Sequence, residues 1–312
     1  MTNSTKKVWV AGDFMLDHYY WGKCDRISPE APVPVVEIQK ESWTLGGAGN
    51  VVKNLLALGV EVEVSGVLGA DPEGERLKGI LAEKGVGISG LMEVDTRPTT
   101  VKSRIIAGHQ QVIRFDHETR ASISEELIQS QVARLQETLA GVDAVILSDY
   151  GKGFLHPDLI SSIVREARVL DKPVFVDPKG RDYSRYRAAT LLTPNRKEAE
   201  EATGISLVDE ESIEQAAEWL RTTLELDYLV ITLSEDGMAL YDGGLTIVPT
   251  TAKEVYDVTG AGDTSLAAFV YAWLSGKDLV GCAHFANAAA AVVIAKLGSE
   301  TATLAEIDDY LG

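Results

Sequence analysis

From about residue 45 onward, short apolar runs mostly alternate with helical patterns, and a similar run lies near the start of the chain. Short, continuously apolar runs are typical of strands buried on both faces of a parallel sheet. We expect strands at Val8–Ala11, Val60–Val67, Ala144–Ser148, Val174–Asp177, Thr190–Thr193 and Tyr228–Leu233. Their alternation with helices predicts an α/β fold in which helices cover both faces of a mostly parallel sheet.

Apolar residues at helical spacing predict helices after the glycine-rich segments. Val51, Leu55 and Leu58 stand at i, i+4 and i+7, and Gly59 is placed to end their helix. The alanine-rich run 285–295 is too short to span a bilayer and is expected to be a buried helix. One further apolar stripe contains Leu266, Phe269, Val270, Trp273 and Leu274.

Two segments break the alternation and are expected to form a small projecting sheet. They are Val33–Lys40 and Thr99–Asp116, and the second contains Ala107–His109 as a hairpin turn between Val101–Ile106 and Gln111–Phe115. We interpret the whole chain, 1–312, as a single domain from which this sheet projects as a lid, a dimer surface or both. One face of a small isolated sheet needs burial, which favours a homodimer.

Composition excludes several classes of function. The formal net charge is −18, which argues against a nucleic-acid partner. Cys24 and Cys282 lie far apart, which favours a reducing compartment over a disulfide framework. No signal peptide and no membrane span are expected, so we expect a cytoplasmic protein without a membrane partner.

The segment Asp257–Thr264, with the sequence DVTGAGDT, carries the strongest chemical signal. Gly260, Ala261 and Gly262 have no bulky side chains, so their amides can approach an anion at the start of the following helix. Asp263 is placed to accept a proton from an attacking hydroxyl. The alternative is a glycine turn with a helix-capping aspartate.

This segment resembles the carboxyl-terminal signature of the ribokinase-like (PfkB) sugar kinases, and departs from it at Val258. The resemblance implies a ribokinase-like, three-layer α/β/α fold and an ATP-dependent kinase. It assigns the catalytic base to Asp263 and the anion hole to Gly260, Ala261 and Gly262. It also assigns Asp257 and Thr259 to a monovalent cation, with K⁺ as the candidate.

A second glycine-rich segment, Gly46–Asn50, is similar to the amino-terminal signature of the same family. The resemblance assigns Gly46, Gly47 and Asn50 to sugar hydroxyls, together with Asp13 and Asp17 after the first strand. The alternatives are a helix that starts after glycines and, for Asp13, a turn residue.

The segment Thr193–Glu198 resembles the NxxE motif of the family and so implies a Mg²⁺ site, held through water, at Asn195 and Glu198. An N-cap Asn with a Glu three residues later also fits a capping box, and both interpretations can hold together.

For ATP, the resemblance offers Ser234 and Gly237 in a turn and Asn287 as an adenine contact. The alternatives are a plain hairpin turn and an asparagine on a helix surface.

Nearly the whole chain resembles one subgroup, the D-glycero-β-D-manno-heptose 7-phosphate kinases. The resemblance implies transfer of the ATP γ-phosphate to C1, giving the 1,7-bisphosphate used for ADP-heptose and lipopolysaccharide. Many such kinases are fused to a nucleotidyltransferase, and we expect either a stand-alone kinase or a kinase domain, because no HxGH motif is present. The matching segments are 12–19, 26–36, 110–116, 147–153, 177–180 and 296–298.

A phosphorylated sugar needs local cations in an acidic protein. Arg104, Lys152 and Lys179 are the candidates, and Lys179 is also a candidate contact of the ATP phosphates. Asp149, beside Lys152, is assigned to the substrate by the resemblance. Arg181, Arg185 and Arg187 are interpreted as a solvated basic face.

Other functions remain open at this point. One is another kinase of this type, acting on fructose 1-phosphate, a tagatose phosphate or a free ketose. Another is a sugar-binding regulator without catalysis, against which the intact Asp263, glycine turn and Glu198 argue. A dinucleotide-binding oxidoreductase is disfavoured because the first βα turn lacks GxGxxG.

Overall fold

A large central sheet and a small separate sheet organise the chain. The computed structural model describes residues 5–108, 110–250, 256–296, 298 and 300–312. The strands are β1 (Lys7–Gly12), β2 (Phe14–Ile27), β3 (Pro34–Gly47), β4 (Glu61–Gly69), β5 (Gly87–Val94), β6 (Thr100–Ala107), β7 (Gln110–His117), β8 (Ala144–Ser148), β9 (Val174–Asp177), β10 (Leu191–Leu192), β11 (Tyr228–Thr232), β12 (Met238–Tyr241) and β13 (Leu245–Val248). The helices are α1 (Ala48–Ala57), α2 (Pro72–Glu83), α3 (Glu125–Ala133), α4 (Leu135–Ala140), α5 (Pro157–Val169), α6 (Arg196–Thr203), α7 (Glu210–Leu224), α8 (Ala261–Leu274), α9 (Leu279–Ile294) and α10 (Leu304–Leu311).

The central sheet has the order β13-β12-β11-β10-β9-β8-β1-β4-β5 among the described residues. Pairing is parallel from β5 to β11, and β12 and β13 add an antiparallel edge. The prediction of a mostly parallel sheet is therefore confirmed. All six predicted strands are present, and the largest trimming is at Thr190–Thr193, where only Leu191–Leu192 is strand.

Two hydrophobic cores lie on opposite faces of the central sheet. Along β1, Val8 and Val10 belong to one core and Trp9 and Ala11 to the other, because successive side chains of a strand point to opposite faces. The first core contains residues of α1, α2, α8, α9 and α10, and the second contains residues of α3 to α7. The three-layer α/β/α prediction is confirmed by this arrangement.

The small sheet has the order β3-β2-β6-β7. The two predicted lid segments, 33–40 and 99–116, are both part of it. The prediction omitted β2, and β3 continues past Lys40 to Gly47. The omission has a physical cause, because Asp13 alone separates β1 from β2 and no turn signal marks the passage from one sheet to the other.

The hairpin between β6 and β7 is confirmed by antiparallel pairing from Val101↔His117 to Ala107↔Gln110. His109 of its predicted turn, and Leu297 of the 296–298 segment, lie outside the described residues. Within the described part of the chain, no helix is long and apolar enough to cross a membrane.

Candidate active site

A pocket of about 220 Å³ lies where the carboxyl ends of the central parallel strands meet the start of α8. This is the edge at which open parallel sheets usually bind ligands. The strands β8, β9 and β10 contribute residues at or just after their carboxyl ends, and β11 and β12 contribute residues of the strands themselves. The lining comprises Asp149, Tyr150, Asp177, Pro178, Lys179, Thr193, Asn195, Glu198, Val230, Thr232, Met238, Gly260, Gly262, Asp263, Ser265, Leu266 and Phe269.

Asp263, the predicted base, lies in the first turn of α8 and is buried. Its carboxylate is held from two sides. The Asn50 side chain donates from Nδ2 to Oδ2 at 2.8 Å, and the Tyr150 hydroxyl donates to Oδ1 at 2.7 Å. Asn50 was predicted as a sugar ligand, and in this structure its amide nitrogen contacts the base.

Burial raises the pKa of Asp263 to about 6, because a charged carboxylate loses hydration in the protein. The hydrogen bonds from Asn50 and Tyr150 and the charge of Lys53 act in the opposite direction, while the Asp17 carboxylate adds to the rise. A carboxylate with this pKa is ionised at neutral pH and still close enough to it to take a proton.

The glycine turn before α8 fits the predicted anion hole. Gly260 has φ +81, and a Cβ there would lie 2.6 Å from Asn50 Nδ2, so both backbone and space demand glycine. The amides of Gly262 and Asp263 are paired with no acceptor among the described residues. Free amides at the start of a helix are suited to an anion such as a transferring phosphoryl group.

Asn195 and Glu198 form a capping box at the start of α6, and both line the pocket. The two interpretations made from the sequence are therefore compatible. Both Glu198 oxygens are engaged, Oε1 by Lys179 Nζ at 2.8 Å and Oε2 by the Asn195 amide at 3.1 Å. Carboxylate oxygens keep further lone pairs, so the set can still hold Mg²⁺ through water.

Asp177 was not singled out as a site residue from the sequence, although it ends a predicted strand at the carboxyl edge of the sheet. It lines the pocket with Asp149, Glu198 and Asp263. Burial, and then the Asp263 carboxylate, raise its pKa well above the usual range. No cluster of three metal-ligating side chains is found within the described ranges.

Asp13 and Asp149, both predicted to bind sugar, are occupied by protein groups. Asp13 accepts the backbone amides of Tyr150 at 2.9 Å, Lys152 at 3.0 Å and Phe154 at 3.3 Å. Asp149 accepts the Gly151 amide and the Tyr186 hydroxyl, each at 2.7 Å, and pairs with Arg185. In this structure the two carboxylates hold the loop that follows β8.

Asp17 and Arg104 were both predicted as substrate ligands, and they pair at 2.5 Å on one face of the small sheet. Gly46 lies against the Asp17 carboxylate, where a Cβ would overlap it, and Gly47 has φ +55. The Asp17 carboxylate adds to the rise in the pKa of Asp263. Asp17, Arg104, Gly46 and Gly47 are not among the residues that line the pocket.

The other predicted phosphate ligands are also paired with acids, Lys152 with Glu118 at 2.5 Å and Lys179 with Glu198. Lys102 was missed. It lies two residues before Arg104 in a predicted strand. Because alternate side chains of a strand point to the same face, the sequence alone places both cations on one face. Lys102 makes no ion pair with the described residues, and burial followed by the charges of Arg114 and Lys152 lowers its pKa.

The interpretation of three arginines as a solvated face is wrong for one of them. Arg181 and Arg187 have side chains 82% and 58% exposed, as expected. The Arg185 side chain is only 23% exposed, because its guanidinium pairs with Asp149 and lies over the Tyr186 ring. The sequence offered no sign of the ion pair, because Asp149 follows β8 and lies far from Arg185 along the chain.

Ser234, Gly237 and Asn287 are not among the residues that line the pocket. Ser234 and Gly237 lie in the hairpin turn from β11 to β12, so the turn is confirmed and the ATP contact stays a prediction. Asn287 is buried, so the surface alternative is wrong. Its amide donates to the Val248 and Pro249 carbonyls at 3.1 and 3.3 Å, tying α9 to the end of β13.

The predicted monovalent-cation residues are joined to each other. Asp257 accepts the Thr259 amide at 2.9 Å and the Gly298 amide at 3.2 Å. The carboxylate thereby connects two segments of chain, and K⁺ binding there stays a prediction.

Comparison with known proteins gives a consistent result. The profile described as pfkB family carbohydrate kinase matches residues 5–306. The bifunctional protein HldE of Wolinella succinogenes is 54% identical over 97% of this chain and 64% of that protein. The bifunctional protein HldE of Campylobacter curvus is 51% identical over 98% of this chain and 65% of that protein. The chain spans a little under two thirds of the length of these relatives.

Solved structures agree on the fold. The Arabidopsis thaliana ribokinase complexed with ribose and ATP superimposes with a TM-score of 0.76 at 21% identity, covering 98% of this chain and 99% of that one. The Escherichia coli phosphofructokinase-2 in complex with potassium gives a TM-score of 0.80 at 18% identity, covering 98% of each chain. At such identities the similarity shows a ribokinase-like fold.

Proposed function

We propose that this chain, which belongs to the pfkB family of carbohydrate kinases, transfers the γ-phosphate of ATP to the C1 hydroxyl of D-glycero-β-D-manno-heptose 7-phosphate. Membership of the family makes the chain an enzyme that phosphorylates a carbohydrate. The proposal therefore concerns which carbohydrate and which hydroxyl. The product would be the 1,7-bisphosphate, a precursor of ADP-heptose.

The observation that carries the reaction is the buried Asp263 beside the free amides of the glycine turn. Asp263 accepts the proton of the C1 hydroxyl, and the C1 oxygen forms a bond to the γ-phosphorus. The bond between the γ-phosphorus and the bridging oxygen breaks, and ADP leaves with that electron pair. The amides of Gly262 and Asp263 stabilise the charge on the phosphoryl oxygens.

Mg²⁺, when bound, would neutralise the phosphates of ATP and orient them for transfer. Asn195 and Glu198 are the residues proposed to hold it through water, and Lys179 beside them is proposed to contact a phosphate. All three residues line the pocket.

Cations on the small sheet support a phosphorylated sugar as the acceptor. Lys102, Arg104 and Arg114 share the face that carries Asp17, by their pairing in register. Arg104 and Arg114 form ion pairs with Asp17 and Asp116, whereas Lys102 forms no ion pair with the described residues and feels Asp116 and Asp17 only through their charge. A dianionic phosphate would supply a partner for Lys102.

The heptose itself is proposed from two sources. The sequence resembles heptose 7-phosphate kinases along nearly all of its length, and the relatives that match it at about half identity bear the name HldE. Nucleotidyl transfer is not part of the proposal, because the chain matches only part of each relative.

The test is ADP release with heptose 7-phosphate, free heptose, fructose 6-phosphate and ribose at equal concentrations. We expect the highest kcat/KM with heptose 7-phosphate, and a product carrying phosphate on C1 by ³¹P NMR. A higher kcat/KM with fructose 6-phosphate or ribose would contradict the proposed substrate while leaving the enzyme a sugar kinase.

The phosphate site is tested by Lys102→Met. Loss of one charge-assisted hydrogen bond, about 1.5–3 kcal/mol, should lower kcat/KM for heptose 7-phosphate by roughly 10- to 150-fold. The KM for ATP and the slow reaction with free heptose should stay near wild type. Lys23→Met, which removes an exposed cation from the same sheet, is the matched control. An equal loss with both sugars would remove Lys102 from phosphate binding.

A further inference from the structure

The hydroxyl of Tyr150 is the second donor on the Asp263 carboxylate. Tyr150 lies in the matching segment 147–153, but the sequence assigned it no role. We infer that Tyr150 is a positioning residue that holds Asp263 in its proton-accepting orientation by donating a hydrogen bond to its carboxylate. The inference rests on the proposed role of Asp263 as the base, and extends it to a residue on a different element.

The geometry leaves little freedom to the carboxylate. Tyr150 donates to Oδ1 at 2.7 Å, and Asn50 donates to Oδ2 at 2.8 Å. Two donors on opposite oxygens fix the rotation of the carboxylate plane. An ionised carboxylate has about four lone pairs, so an acceptor position remains for the hydroxyl of the sugar. Tyr150 therefore orients the base without blocking it.

The loop that carries Tyr150 is itself fixed. Asp13 accepts the amides of Tyr150, Lys152 and Phe154, and Asp149 accepts the Gly151 amide. Asp13 is buried at the end of β1, and Asp149 directly follows β8. The loop that carries the Tyr150 side chain is thus held by residues that directly follow two adjacent strands, β1 and β8. Rigid elements of this kind hold catalytic side chains in a defined geometry.

The protonation states suit this role. Burial and then the Asp263 carboxylate raise the pKa of Tyr150 well above its usual range, so the phenol stays a donor. A donor on the charged form favours ionisation, and the Tyr150 hydrogen bond accordingly lowers the pKa of Asp263 against the effect of burial. Without the Tyr150 hydrogen bond, Asp263 would remain protonated to a higher pH and would be less available to accept a proton near pH 7.

The test compares Tyr150→Phe with wild type in two measurements. In the pH profile of kcat/KM, the midpoint of the acid limb should move up by roughly one to two units, because a hydrogen bond to a charged group contributes about 1.5–3 kcal/mol. The KM for ATP should be unchanged. The titration of Asp263, followed by ¹³C NMR of labelled aspartate and assigned with Asp263→Asn, should shift upward by the same amount without any substrate.

Tyr183→Phe is the matched control, because the Tyr183 hydroxyl is buried without a hydrogen-bond partner among the described residues and does not line the pocket. Its profile and titration should coincide with wild type. An Asp263 midpoint in Tyr150→Phe equal to wild type would overturn the inference. If no sugar is phosphorylated, the proposed function fails, and the NMR titration still decides the role of Tyr150.

Discussion

At the scale of single residues, Asp263 illustrates what the sequence could and could not reveal. Its place after a glycine turn and before an apolar helix made it the predicted base. Its two partners come from α1 and from the loop after β8, 213 and 113 residues away in sequence. Spacing along the chain carries no information about contacts at that distance. Lys102 differs, because its period-two relation to Arg104 was readable and was overlooked.

Asp263→Asn should slow turnover strongly and stabilise the fold. The folded protein binds the Asp263 proton more tightly than the unfolded chain does, since the pKa is raised to about 6. The contribution of this carboxyl to the free energy of unfolding therefore falls as pH rises from about 4 to about 6, and the loss persists above that range. We expect kcat to drop at least ~10²-fold, and the variant to be more stable than wild type by roughly 1–3 kcal/mol at neutral pH.

Urea denaturation at about pH 7.5 and about pH 4.5 measures the stability difference. The difference in the free energy of unfolding between the variant and wild type should be smaller at the lower pH, because the Asp263 carboxyl of the wild type is then largely protonated and uncharged. A variant with wild-type activity, or one that is less stable at neutral pH, would contradict the role given to this carboxylate.

At the scale of elements, the start of α6 serves two purposes with one pair of residues. The Asn195 side chain caps the helix, and the Asn195 backbone amide donates a hydrogen bond to the Glu198 carboxylate. Both residues also line the pocket. The predicted strands of the central sheet were found because each is a short apolar run. The strand β2 was not predicted. Its outer half is mostly exposed, and its inner half follows β1 with only Asp13 between them.

Glu198→Gln should weaken the use of Mg²⁺ because the metal loses a charged partner. We expect the Mg²⁺ concentration for half-maximal rate to rise roughly tenfold. Titration of the initial rate with Mg²⁺ at saturating ATP measures it.

Glu306→Gln is the control, because Glu306 completes a capping box with Thr303 at the start of α10 and does not line the pocket. Both variants should lose some thermal stability, and only Glu198→Gln should change the Mg²⁺ dependence. If the Mg²⁺ dependence of Glu198→Gln equals that of wild type, Glu198 caps α6 and takes no part in holding the metal.

At the scale of the whole molecule, an acidic protein has to bind two anionic ligands. The net charge of −18 did not predict where the cations lie. The fold gathers cations on and beside the small sheet, because Lys102 and Arg104 share a face and the charges of Arg114 and Lys152 act on Lys102. The projection of this sheet was predictable from its extended segments. Its cationic face could be assembled only once the pairing of β2, β6 and β7 was known.

The opposite face of the small sheet is apolar, and it carries the last prediction. Ile113 and Phe115 are 51% and 49% exposed there, and Phe115 stacks on Tyr20 of β2. Ile38 of β3 is exposed as well. Apolar side chains grouped on one face of a four-stranded sheet favour burial against a partner. We predict that a second copy of the chain covers this face and that the protein is a dimer.

Sedimentation velocity at micromolar concentration should give the mass of a dimer for the wild type and of a monomer for the double variant Ile113→Asp, Phe115→Asp. Buried at an interface, the two new carboxylates would lack partners, and the cost of their desolvation would separate the subunits. Val208→Asp is the control, because Val208 is 80% exposed, lies between α6 and α7, and has no place on the small sheet. It should remain dimeric. A monomeric wild type, or a double variant with the mass of a dimer, would show that this face is not the interface.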